Sequence, residues 1–316
     1  MTASAAKSRE PRDTLEPPSR RAIRLGLFAL AVVGALAGAG VAWLHLTGDP
    51  LADAHAYFDA ANRLNQGLPL YPPGIDPSSN LVYLYPPLLA VALRPIALLP
   101  YPVFALVWEA IVLVSFGLLV VQLGANRRVW LAIGILGIPI GWALSIAQAH
   151  VPMTLLLALG QPWSVALAAN VKIFPALVAL WWLGRRDYQA FIAFLLWMFL
   201  WGLAQLVLEP GGTFEFLGGG VGLAQLGAVR NISPFAFGSP ILWGALVILG
   251  ALLTLRLAKT RGGWAAAIAL GTLSPPRLLV YMLTGLLAAI REPRPPGAPD
   301  PNAPVDASTA YLRSFR

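Results

Sequence analysis

Long apolar runs alternate with short polar breaks through most of this chain. The pattern predicts membrane helices at about 25–46, 86–100, 103–123, 129–147, 151–168, 170–183, 190–208, 240–257, 263–275 and 277–290. A crossing helix needs about 20 largely apolar residues, and several of these runs approach that length. The expected fold is therefore all-α and polytopic, with about ten transmembrane helices. Breaks such as Leu99-Pro100-Tyr101-Pro102 and Gly160-Gln161-Pro162 predict turns or broken helices. No internal repeat stands out.

One polar stretch interrupts this pattern, Asp53 to Tyr71 in the first loop. Asp49-Pro50 reads as a helix start, with Asp49 as N-cap and Pro50 at the first helical position. Leu51, Ala54, Phe58 and Ala61 recur at helical spacing, and Gly67 and Pro69 end the run. The expectation is a short amphipathic helix lying on the membrane surface. Asp53 and Tyr57, four apart, share one of its faces. His55, Asp59, Asn62 and Gln66 fall on another.

Composition agrees with a membrane protein. Of 316 residues, 58% are hydrophobic and 11% charged, against about 25% charged in soluble domains. Much of the formal charge of +8 sits in the two ends of the chain. It reads as orientation signal and contact with anionic membrane lipids, not as nucleic-acid binding. Residues 1–24 read as a disordered cytoplasmic tail, 25–290 as the transmembrane domain, and 291–316 as a second disordered cytoplasmic tail. Both termini then lie inside a cell membrane. The acidic loop 47–86 and the Gly-rich loop 209–239 lie outside, and Gly184-Arg185-Arg186 forms an inner turn. Arg127-Arg128 runs against this count, since it would face outward. Cysteine is absent and there are three histidines, so thiolate chemistry is excluded and no metal centre is expected.

Few groups remain that carry chemistry. Asp53, at a lipid–water boundary, is the candidate general base, against a plain reading as a solvated acid. Lys172, between apolar runs, needs an anionic partner such as phosphate, or else snorkels to the interface. Arg277, after Ser274-Pro275-Pro276, follows the same logic, and Arg230-Asn231 either closes over a ligand or is an ordinary loop. Gln148 and His150 interrupt an apolar run, where capping a helix end competes with a site role. Glu109 is expected to face the bundle interior and make a structural hydrogen bond.

Taken in order, these pieces resemble glycosyltransferase family 87, polytopic enzymes of the GT-C superfamily. The resemblance is carried by Asp53-x-x-x-Tyr57-x-x-Ala60-Ala61 with Gly67 and Tyr71, and by Tyr85-Pro86-Pro87, Pro95, Leu99-Pro100 and Trp108. Further along it is carried by Gln148-Ala149-His150, Lys172-Ile173-Phe174-Pro175 with Gly184-Arg185-Arg186-Asp187-Tyr188, Arg230-Asn231-Ile232-Ser233, and Ser274-Pro275 with Tyr281. The chain departs from the family in being short toward its C-terminal end. It also has Pro276-Arg277-Leu278-Leu279-Val280 after Ser274-Pro275, and Ile232 in place of Gln.

What the resemblance implies is transfer of a hexose, mannose in the bacterial members, from a polyprenyl-phosphate sugar to a lipid or glycan acceptor on the outer membrane face. Asp53 would deprotonate the acceptor. Lys172, with Arg277 or Arg230, would hold the departing phosphate. His55, Tyr57, Tyr85, Gln148, His150, Asn231 and Tyr281 would be the surrounding substrate-binding positions. Grooves between helices would take the prenyl tail, and no nucleotide, other cofactor or obligatory metal is expected. The alternatives are a non-catalytic polytopic subunit of the same fold, or a transporter. Convergence of Asp53, Lys172 and Arg277 on one outward cavity favours the enzyme, polar groups lining a path through both leaflets favour the transporter, and the lack of a cavity beside Asp53 favours the subunit.

Overall fold

The computed structural model describes residues 18–72, 82–218, 231–237 and 239–293. Asp76, residues 219–230 of the Gly-rich loop with Arg230, and residues 1–17 and 294–316 of the expected tails lie outside the described residues, while residues 18–24 of the first expected tail form the start of a helix. Every regular element among the described residues is helical.

Four helices are long and apolar enough to cross a membrane: α1 (Pro18–Gly48), α4 (Tyr101–Leu123), α10 (Tyr188–Leu208) and α12 (Pro240–Leu257). A fifth crossing is made if α5 (Arg127–Ile135) and α6 (Gly137–Ser145), bent by 74° at Leu136, count as one. The other predicted crossings form shorter pieces. These are α3 (Pro87–Leu93) with a 3-10 turn at Ile96–Leu98, and α7 (His150–Leu159) and α8 (Pro162–Val171). A 3-10 segment, Phe174–Ala179, then leads into α9 (Leu180–Arg185). α13 (Gly263–Leu273) and the 3-10 segment Val280–Ile290 complete this set, and a further short helix, α11 (Pro210–Leu217), follows α10.

The breaks have local causes. Gly160 adopts φ 59° and Pro162 starts α8, so α7 cannot continue through them. Pro175 and Pro87 stand at the beginnings of their segments. Polar backbone freed at such breaks is tolerated in a membrane where protein covers it.

α1, α10 and α12 present many exposed apolar side chains, among them Leu36, Trp43, Ile192, Phe199, Ile241 and Ile248. In water such faces would be unfavourable; in lipid they are the ordinary exterior. The shorter helices supply the interior. One buried cluster joins residues 54–71 to α3, α4, the turn 146–149 and Tyr281. A second joins α7, α8, α9 and α13 around Trp181, Trp182 and Trp264.

The bent pair is held against α1 by backbone contact. A Cβ added at Gly34 would lie 2.3 Å from the Gly134 oxygen, and one at Gly38 2.2 Å from the Gly137 oxygen. From the facing side, Gly137 and Gly141 would meet the oxygens of Gly34 and Gly38 at 2.1 and 2.2 Å. Small residues four apart on both helices permit this approach, the usual means of packing helices in lipid.

The polar stretch forms α2 (Ala52–Asn65), which ends before Gly67 as predicted. Its start differs from the prediction. Asp49 is not the N-cap; Leu51 occupies that position in a left-handed conformation, φ 56°, with no side-chain cap. The N–H groups of Leu51 and Asp53 instead donate to the carbonyls of Ser145 and Ile146, at 3.2 and 3.1 Å. The positive end of α2 thus abuts the negative end of α6, and each satisfies groups the other leaves open. Of the predicted stripe Leu51, Ala54, Phe58 and Ala61, the two alanines are fully buried and Leu51 and Phe58 are half-buried, and the buried face is wider than predicted. Ala52, Ala54, Ala56, Tyr57, Ala60, Ala61 and Leu64 are buried against protein, because the alanines allow α3 and α4 to pack closely on them.

Candidate active site

The site begins at the turn between α6 and α7. Ile146 ends α6, and Ala147 takes φ 57°. The N–H of Ala147 donates to the Leu144 carbonyl (3.2 Å) and that of Gln148 to Ala143 (2.9 Å). This is a Schellman closure with alanine where glycine is usual. Trp108 on α4 braces it, its Nε1 donating to the Ala147 carbonyl at 2.8 Å. The turn delivers Gln148, fully buried, to the first turn of α2, the end already docked on Ser145 and Ile146.

There Gln148 Nε2 donates a short hydrogen bond to Asp53 Oδ2. Its Oε1 accepts from the hydroxyls of Tyr57 (2.7 Å) and Tyr85 (2.6 Å). The two phenol oxygens are 3.1 Å apart, and the Ala149 N–H donates to Tyr57 Oη at 3.2 Å. Tyr85 is fixed in turn by Tyr71, whose hydroxyl donates to the Tyr85 carbonyl at 2.6 Å. Tyr83 closes the next turn, donating to Pro86 and accepting from the Ala90 N–H.

Two cations approach the same group. Lys172 leaves α8 in an extended conformation, and its Nζ lies 5.0 Å from the centre of the Tyr85 ring and 5.5 Å from that of Tyr281. Such contacts favour a cation held between aromatic faces. Lys172 Nζ and Arg277 Nε are both shielded from solvent and have no hydrogen-bond partner among the described residues. Arg277 is carried by a segment whose backbone Asn231 clamps. The Asn231 amide donates to the Pro276 carbonyl at 2.8 Å and accepts from the N–H groups of Leu278 and Ser233 at 2.9 Å. Trp243 Nε1 holds the Ser274 carbonyl at 2.9 Å.

Asp53 is partly buried. Burial raises its pKa from 3.8 to about 7; the charges of Lys172 and Arg277 and the Gln148 hydrogen bond act the other way, and Asp49 adds to the rise. A carboxyl balanced near neutrality suits a general base.

Asp53, Tyr57, Tyr85, Gln148, Lys172, Arg277 and Tyr281 are therefore brought together, with His150 packed beside Tyr281, ring centres 6.4 Å apart. His55 is not among them. It lies on the other face of α2, 3.7 Å from Asp59 and tilted against the Tyr101 ring, with ring centres 4.6 Å apart. The Asn231 side chain is taken up by backbone. Glu109 does not make the expected structural hydrogen bond: its Oε2 is shielded and has no partner among the described residues. The sequence reading gave no weight to Trp108, Tyr83 or Tyr71 as supports. The signal was the spacing of tyrosine: five of eight, at 57, 71, 83, 85 and 281, gather here. A separate cavity of about 440 Å³ is lined by Gly160, Gln161, Trp181, Trp182, Arg185 and Glu292. It lies at the far ends of α7 and α8, roughly 15 Å from the Asp53 end by helix rise.

A family model described as Glycosyltransferase family 87 matches residues 83–291. The chain belongs to glycosyltransferase family 87. The match holds Tyr85, Gln148, Lys172, Asn231, Arg277 and Tyr281 of this family 87 chain, whereas Asp53 and Tyr57 precede it. The chain is 31% identical over 204 residues to a Mycolicibacterium smegmatis protein, covering 56% of this chain and 49% of that one. That protein is named polyprenol-phosphate-mannose-dependent alpha-(1-2)-phosphatidylinositol pentamannoside mannosyltransferase. A Mycobacterium tuberculosis protein of the same name is 26% identical over 234 residues, covering 65% and 52%. The chain thus spans about half the length of the curated relatives it matches. No solved structure matches.

Proposed function

We propose that this chain transfers mannose from a polyprenyl-phosphate mannose to a glycolipid acceptor at the outer membrane face. The observation that carries the reading is the meeting of one carboxylate with two half-buried cations, whose Lys172 Nζ and Arg277 Nε are shielded from solvent and have no hydrogen-bond partner among the described residues. The family and the relatives' names supply the donor and acceptor class.

Asp53 takes the proton of an acceptor hydroxyl. The freed oxygen attacks the anomeric carbon as the bond from that carbon to the phosphate oxygen breaks. The phosphate leaves with the electron pair and gains negative charge. Lys172 and Arg277 stabilise that charge in a site where protein has replaced water. Direct displacement inverts the anomeric centre, as the family resemblance implies.

The test is transfer of labelled mannose by the purified full chain in vesicles containing a phosphatidylinositol mannoside. Polyprenyl-phosphate mannose should serve as donor and a nucleotide-activated mannose should not. Lys172→Ala should weaken donor use by about 10- to 100-fold, the loss expected for one charge-assisted contact, with little change in acceptor use. Transfer from the nucleotide sugar alone, or none from either donor, would exclude the reading.

A further inference from the structure

Gln148 has the chemistry of a substrate contact, yet both ends of its amide are already occupied by protein. Its Oε1 receives two phenol hydroxyls and its Nε2 reaches Asp53. It is fully buried, at 0% exposure. The two halves of the amide are not interchangeable here. Turned over, Gln148 would set its oxygen against the carboxylate oxygen and its N–H groups against two phenols. The Tyr57 oxygen already accepts the Ala149 N–H, at 3.2 Å. The phenols therefore fix which end meets Asp53.

We propose that Gln148 is a positioning residue: Tyr57 and Tyr85 lock its amide, and the amide holds Asp53 as a carboxylate with Oδ1 turned to the acceptor. This rests on the mannosyl-transfer reading above. Gln148 donates to Oδ2, and Oδ1 has no donor among the described residues. An amide N–H favours the charged form of the acid it contacts. The lock is itself held from outside, by Trp108 on the Ala147 carbonyl and by Tyr71 on the Tyr85 carbonyl.

Other groups act on Asp53 and bear on any pH effect. Asp49 lies just before α2, Lys172 at the end of α8, Arg277 ahead of the last 3-10 segment, and the phenols of Tyr57, Tyr85 and Tyr281 line the site. Gln148→Glu leaves Asp49, Lys172, Arg277 and Tyr281 in place and keeps an acceptor for the Tyr57 and Tyr85 hydroxyls. A shift in the acid limb of the rate profile therefore reports the amide.

The experiment measures kcat and donor and acceptor KM from pH 5 to 9 for the full chain in vesicles, as wild type, Gln148→Glu, Gln148→Leu and Tyr85→Phe. Gln148→Glu keeps acceptors for both phenols but sets a second carboxyl against Asp53. Its acid limb should move to higher pH by about one unit or more, as for like charges sharing a site. Gln148→Leu should lower kcat by about 10-fold or more with both KM values within two-fold, inside the range a general base contributes. Tyr85→Phe, which leaves one donor on the amide, should fall between wild type and Gln148→Leu. An unmoved limb in an active Gln148→Glu protein would overturn the proposal. So would a Gln148→Leu effect confined to KM, which would make Gln148 a substrate contact. Absence of transfer by wild type would remove the mannosyl-transfer reading and the positioning role with it. Wild-type transfer with unaffected variants would remove the positioning role alone.

Discussion

Two opposed environments meet at one carboxyl in Asp53. Burial disfavours its charge, while Lys172, Arg277 and the Gln148 amide favour it. As a base it works deprotonated, so kcat/KM should rise with pH through about 7 and level off above. A flat profile from pH 5 to 9 would contradict the assignment. Stability should run the other way. The folded pKa, about 7, stands above the ordinary value of 3.8, so the folded chain holds the proton more tightly. That contribution is complete below the ordinary value and is lost as pH rises through about 7. Asp53→Asn keeps an oxygen for Gln148 Nε2 and carries no charge. It should melt at higher temperature than wild type at pH 8, with the gap closing by pH 4; thermal unfolding in detergent reads this directly. At this scale the sequence indicated most of the polar groups that gather around Asp53, because charges are scarce in so apolar a chain. It did not indicate that Gln148 is spent on Asp53, since that contact joins residues 95 apart.

Among the elements, α2 shows why a local rule gave the right helix and the wrong start. Asp49-Pro50 is a sound capping pair, but the carbonyls at the end of α6 outcompete it. A helix end satisfied by another helix leaves no trace in its own sequence. The contact of α1 with α5 and α6 was also unread, although Gly34, Gly38, Gly134, Gly137 and Gly141 were in plain view. Glycines four apart identify a close contact only once the partner helix is known. Gly38→Leu should destabilise the fold by about 1–3 kcal/mol or shift the bent pair, as overpacking does. Gly40, one turn-face away, has open space around it, and Gly40→Leu should leave the melting temperature within a degree or two. Equal effects from the two variants would show that α1 does not meet the pair through this face.

Over the whole molecule, hydropathy separated the lipid-facing helices from the interior well. α1, α4, α10 and α12 are the runs it marked most strongly. The remaining apolar runs are built as the short, broken helices that carry the candidate site, not as single long helices. Charge supports the proposed orientation. Arg185, Arg186, Arg256, Lys259 and Arg261 are exposed, and Arg185 lies at the end of α7 and α8 away from Asp53. With the basic side inward, the Asp53 site would face out, as proposed above. The chain has no cysteine, so single cysteines report sidedness cleanly. His55→Cys in intact cells should react with an impermeant maleimide, and Arg186→Cys only after permeabilisation. The reverse pattern would turn the site inward.

The central claim is that Asp53 acts on the acceptor while Lys172 and Arg277 hold the donor. It is tested most directly by measuring donor binding and mannosyl transfer side by side in Asp53→Asn. The variant should bind polyprenyl-phosphate mannose within about two-fold of wild type and transfer at least about 100-fold more slowly, since a general base is worth that much or more. Transfer at the wild-type rate by Asp53→Asn would contradict the account.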